Sequence, residues 1–179
     1  MTKIALIIGS LSRASINRTV AQHLAAQAPE GVVVEEVQIG DLPLYTQDLD
    51  SESIPAYERV RAQLQAADAV LIVSPEHNRS MPAAVKNLLD IASRPAGKSL
   101  WGGKKTAVIT ASPGSYGGIN SGLQIRQSLQ AMSADVMIAP EVFLSRAHTA
   151  LADGQVSDAR TAAFLNKFAA AFYAWAQAE

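Results

Sequence analysis

Short apolar runs alternate with helix-periodic segments along the whole chain, and no other feature constrains the fold as much. Ile4–Ile8, Val32–Ile39, Ala69–Val73 and Thr106–Thr110 read as strands, and Val136–Ile138 opens a fifth. Between and after them the spacing of apolar residues predicts helices over Arg18–Gln27, Ala56–Ala67, Ala83–Ala92, Gly122–Met132 and Asp158–Gln177. Ala69–Val73 is apolar at every position, as a strand covered on both faces should be. The last helix is expected to bury Phe164, Leu165, Phe168 and Phe172 on one stripe. Leu42–Ser53 reads as a polar loop and Asp153-Gly154 as a turn.

Alternating strands and helices predict an α/β three-layer sandwich, a parallel sheet with helices on both faces. Right-handed crossovers and five strands favour the flavodoxin-like order 2-1-3-4-5. Ligands then bind beyond the strand C-terminal ends, between strands one and three. The 179 residues, 49% of them hydrophobic, suffice for a single domain over 1–179.

The first strand empties through Gly9-Ser10-Leu11-Ser12-Arg13-Ala14-Ser15 into a helix near Asn17. A helix start presents unpaired N–H groups and a positive dipole end, which suits an anion. Ser10, Ser12 and Ser15 can add hydroxyl donors, Asn17 an amide and Arg13 a charge. Capping by one hydroxyl and a solvated arginine would explain only part of this cluster. Neither G-x-G-x-x-G nor G-x-x-x-x-G-K-[ST] is present, since Leu11 and Ala14 stand where glycines are needed. A single phosphate of a mononucleotide is the expected occupant. Two further loops should share that edge of the sheet. Ser74–Pro82 is polar and stiffened by Pro75 and Pro82, with Ser80 a candidate helix cap. Ala111–Gly118 contains three glycines that let backbone approach a ligand closely. Both suit the edge of a flat heterocycle.

Other classes of function are disfavoured. The net charge of -1 provides no field for nucleic acid or an anionic membrane. There is no cysteine, so disulfides and thiolate chemistry are absent and a reducing compartment fits. No run approaches the roughly 18 apolar residues of a membrane span, and Ile4–Ile8 is too short for a signal peptide core. A cytoplasmic protein is expected. His23 and His148 read as surface residues, and three scattered histidines predict no metal site.

Gly9–Arg18, Pro75–Pro95, Ser112–Leu129 and the Pro140-Glu141 pair together resemble the NADPH-dependent FMN reductases, in the branch of bacterial chromate and quinone reductases. The resemblance implies bound FMN, reduction by NADPH or NADH, and a homodimer or homotetramer. It implies FMN phosphate contacts at Ser10, Arg13, Ser15, Ile16 and Asn17. It implies ring contacts at Pro75, Glu76, His77 and Asn78, largely through backbone amides, and at Ser112, Gly114, Gly117 and Gly118. His77 stands where relatives usually have tyrosine, and Arg79 where they have a small or aromatic residue. Arg79 is a candidate for NADPH recruitment. His77 is either a proton donor or a space-filling ring. Tyr116 lies beside the flavin or at a subunit contact. Arg126 and Glu141 match charges that link subunits, or are two surface charges worth roughly 0–1 kcal/mol if paired. No side chain is assigned as a general acid or base. The expected reaction carries hydride from nicotinamide to FMN, then to a quinone, azo, chromate or flavin acceptor. A flavodoxin-like electron carrier or a flavin-binding sensor is the alternative.

Overall fold

In a computed structural model, which describes residues 1–178, the central sheet is built from parallel strands in the order β2-β1-β3-β4-β5. The strands are β1 (Thr2–Ile8), β2 (Val32–Glu36), β3 (Ala69–Ser74), β4 (Lys105–Ala111) and β5 (Asp135–Val136). This is the flavodoxin-like order expected from the alternation. The fifth position is shared, because β6 (Val142–Leu144) pairs with Ile109–Ala111 while β5 pairs with Lys105-Thr106. Pro140, which lacks an N–H to donate, lies in the break between them.

Period-two alternation sends successive strand residues to opposite faces. Leu71 and Val73 pack with helices α1 (Ile16–Ala25) and α5 (Ala159–Gln177). Val70 and Ile72 pack with α2 (Pro55–Ala66), α3 (Ala83–Ser93) and α4 (Ile119–Ala131). Strand β3 has neighbours on both sides and helices on both faces, and all six of its residues are buried. A short hairpin, β7 (Leu151–Ala152) and β8 (Gln155–Val156), turns at Asp153-Gly154 and packs against α1.

Three local expectations need correction. Phe164 is 41% exposed rather than buried. The buried stripe of α5 runs through Leu165, Phe168, Ala169, Phe172, Tyr173 and Ala176, and Phe164 stands one residue off that face. Ser80 does not cap α3; Pro82 holds the N-cap position without a side-chain bond, and the Ser80 hydroxyl turns to Gln124 instead. The Leu42–Ser53 loop carries a 3-10 turn over Gln47–Ser51, started by the Thr46 side chain.

Candidate functional site

Strand register brings the three polar loops to one edge. Ile8 is paired with Val73, and Val73 with Ile109, so β1, β3 and β4 end side by side. The chain leaving β1 crosses the end of β3 at Gly9, whose N–H donates to Val73 O. A Cβ at Gly9 would lie 2.6 Å from Ser74 Oγ, so the crossing needs glycine.

Beyond Gly9, Ser15 is the N-cap of α1 and its hydroxyl accepts from Arg18 N–H at 3.1 Å. The N–H groups of Ser15, Ile16 and Asn17 have no acceptor among the described residues. Asn17 is buried, and its Nδ2 donates 3.1 Å to Ala111 O at the end of β4. Its Oδ1 is buried without a partner. A buried acceptor without a donor is costly, and it marks this point as one a ligand donor would complete. Arg13 is exposed and belongs to none of the ion pairs among the described residues. Arg18 is committed elsewhere, forked onto Glu36 at 2.8 and 2.9 Å.

The loop after β3 folds into a tight turn. His77 and Ser80 exchange both backbone bonds at 2.9 Å, and the residues between them, Asn78 and Arg79, have φ of 50° and 65°. His77, Asn78 and Arg79 are exposed. The Glu76 side chain, by contrast, is 10% exposed. Its Oε2 accepts from the N–H groups of Asn120 and Ser121 at 2.9 and 3.3 Å, while Oε1 lies 3.5 Å from Arg79 Nη1. It therefore caps α4 from a neighbouring loop, because Gly118 at the N-cap has no side chain to do so. Arg79 lies over the Tyr116 ring, 4.6 Å from its centre.

In the third loop, Ser112 Oγ accepts from Gly114 N–H, and Ser112 and Gly114 are backed by Leu144 and Arg146. Gly117 and Gly118 are buried and have positive φ. Their missing side chains make room for this chain's own Phe143 carbonyl and Thr110. Their N–H groups, with those of Glu76 and Asn78, have no acceptor among the described residues. The edge thus presents a helix start with free N–H groups next to two loops with free amides, a donor set that fits a phosphate joined to a flat polar ring.

Arg126 departs from a surface charge. It is buried, donates from Nη1 to Met137 O at 2.7 Å and from Nη2 to Val108 O at 3.3 Å, and leaves Nε without a partner. Glu141 is 4.0 Å away and exposed. Burial lowers the Arg126 guanidinium from its ordinary value, and the Glu141 charge offsets part of that. His23 is half-buried and meets Asn166 Oδ1 at 2.8 Å; His148 is exposed. Sequence reasoning missed Gln124, which holds three atoms of the 75–82 loop, and the Glu76 carboxylate as a cap. Neither carries a local sequence signal, because each partner lies more than forty positions away.

Comparison with known proteins covers the segments that carry these loops. A family model described as NADPH-dependent FMN reductase matches residues 2–149. A quinone reductase of Pseudomonas putida is 42% identical over 173 residues, covering 96% of this chain and 93% of the relative. A 2-hydroxy-1,4-benzoquinone reductase of Burkholderia sp. is 39% identical, covering 97% and 95%. The solved structure of FerB, a flavoenzyme NAD(P)H:(acceptor) oxidoreductase from Paracoccus denitrificans, superposes with a TM-score of 0.90 at 35% identity, covering 99% and 98%.

Proposed function

The chain belongs to the NADPH-dependent FMN reductase family, and on that premise we propose what its loop residues hold and which acceptor it reduces. The protein is an NAD(P)H-dependent oxidoreductase that uses FMN. Bound FMN supplies the hydride relay between a nicotinamide and an acceptor. The chain's part is to bind, orient and tune.

The free N–H groups of Ser15, Ile16 and Asn17 carry this reading. With the Ser10 hydroxyl and the Arg13 charge they would hold the phosphate, aided by the positive end of α1. Ser15 serves its own helix at the same time, since its oxygen takes the Arg18 N–H while its hydroxyl proton stays free to donate. Asn17 Oδ1, buried and unpartnered, would accept a hydrogen bond from a hydroxyl of the group behind the phosphate. Pro75, Glu76, His77 and Asn78 would border the ring on one side, and Ser112, Gly114, Gly117 and Gly118 on the other. Fixed amides there would favour negative charge on the ring edge they face, without reorganising.

A quinone is the acceptor that the relatives' activities favour. Chromate, azo compounds and free flavin belong in the same test panel. Arg79 stands exposed on the ring-side loop, stacked on Tyr116, and would attract the 2′-phosphate of NADPH. Arg79→Ala should then raise KM for NADPH much more than for NADH, and an equal rise for both would sink the role. A homodimer or homotetramer is supported by Ile138, 85% exposed beside the Arg126–Met137 link, and by Leu123, 49% exposed one turn before Arg126. Sedimentation of Ile138→Asp should show a smaller species than the parent protein. No described helix is long and apolar enough to cross a membrane; a cytoplasmic setting is part of the proposal, in keeping with the absence of cysteine.

The deciding experiment mixes the protein with FMN and NADPH without oxygen while the flavin's visible absorbance is followed. Rapid bleaching, then reoxidation and turnover on adding quinone, is the expected result. No reduction by NADPH or NADH would point instead to a carrier or sensor.

A further inference from the structure

Helix α4 is joined to the 75–82 loop by two side chains that reach in opposite directions. From the helix, Gln124 accepts the Ser80 hydroxyl at 2.7 Å and the Met81 N–H at 3.3 Å, and donates to Arg79 O at 3.1 Å. From the loop, Glu76 accepts two N–H groups of the helix's first turn. A shift of the loop along α4 would break one link or the other. The turn they enclose is one its own residues disfavour. Asparagine tolerates positive φ, but Arg79 at φ 65° carries a Cβ against the following backbone, where such turns prefer glycine. Gln124 bonds Arg79 and the two residues after it, so it holds the chain where it would otherwise relax.

We infer that Gln124 is a positioning residue for the ring side of the flavin site. It fixes the loop so that the Glu76 and Asn78 N–H groups, free of other acceptors, keep one spacing and Arg79 stays over Tyr116. The inference rests on the proposed assignment of this loop to the FMN ring. It separates the site into two parts, a phosphate anchor on α1 and a ring cradle clasped to α4.

Two measurements test it. Gln124→Met removes all three bonds at similar side-chain length. Titration by flavin fluorescence should show FMN and riboflavin weakened by the same factor, about fivefold to tenfold, from the lost ordering and hydrogen bonds. Arg13→Ala should weaken FMN and leave riboflavin unchanged. Unaltered flavin affinity in Gln124→Met would overturn the inference, as would a loss confined to FMN. Trypsin cleavage after Arg79 in the flavin-free protein should be several-fold faster in Gln124→Met at little change in Tm; equal rates would overturn it too. Should the methionine variant fold poorly, Gln124→Glu keeps both acceptor bonds but sets a carboxylate oxygen against Arg79 O in place of the donor. FMN and riboflavin should again weaken by a common factor, and parental values would count against the role. If the parent protein binds neither flavin, the proposed function itself falls.

Discussion

Gly117 shows how a single position in a glycine-rich loop can be committed to its own chain. Its φ is 63°, and a Cβ there would sit 2.5 Å from the Phe143 carbonyl oxygen. Gly97 has a similar φ of 79° but open space around it. Gly117→Ala should therefore cost about 2 kcal/mol or more, against about 1 kcal/mol for Gly97→Ala, in the midpoint of denaturant unfolding. Equal losses would mean that packing against Phe143 contributes nothing. The three glycines of this loop were legible as a place for close approach, but not which atoms approach. Phe143 lies 26 residues on, so only the folded chain shows that backbone fills the space beside Gly117. The same holds for Glu76, readable as a surface carboxylate until α4 is seen to begin against it.

Links between elements decide which charges remain for ligands. Arg18 and Arg13 are alike in sequence, yet Arg18 ties α1 to Glu36 at the end of β2, and Arg13 is left exposed over the loop. Hydrogen bonds from Arg18 hold the Glu36 carboxyl below its ordinary value of 4.5. A depressed carboxyl stabilises the fold above the unfolded-state value and loses that contribution as pH falls through the folded-state value. Glu36→Gln should therefore lower Tm by no more than about 3 °C near neutrality, since partly exposed pairs contribute about 0–1 kcal/mol. The difference between parent and variant should vanish below the ordinary glutamate range. A difference that grows on acidification would contradict the assignment. The helices were legible from their apolar stripes to within a turn. Their tethers were not, because a salt bridge between α1 and β2 depends on sheet order rather than on local period.

The molecule as a whole is two cores sharing one sheet. Leu71 and Ile72 are neighbours in β3, both fully buried, yet they belong to opposite faces. Leu71→Ala and Ile72→Ala should each cost about 2–5 kcal/mol by cavity formation. Trp175 packs against one core and Trp101 is buried in the other. Fluorescence from either tryptophan, isolated by replacing its partner with phenylalanine, should report the same unfolding midpoint as circular dichroism in both variants. Separate midpoints would mean that the two layers unfold independently.

Period and composition alone settled the layers and the parallel sheet, because burial on both faces demands apolar runs and parallel strands demand crossovers, and they favoured the flavodoxin-like order that the folded sheet adopts. The phosphate-binding candidate was legible for a related reason: strand, loop, helix cap and dipole are contiguous in the chain. The geometry of the loops proposed to cradle the ring was decided by the tertiary structure. Its supports, Gln124, Thr110, Phe143 and the Glu76 carboxylate, act across long separations. Such contacts exist only after β1, β3 and β4 have been brought into register, and no local pattern of residue types encodes them.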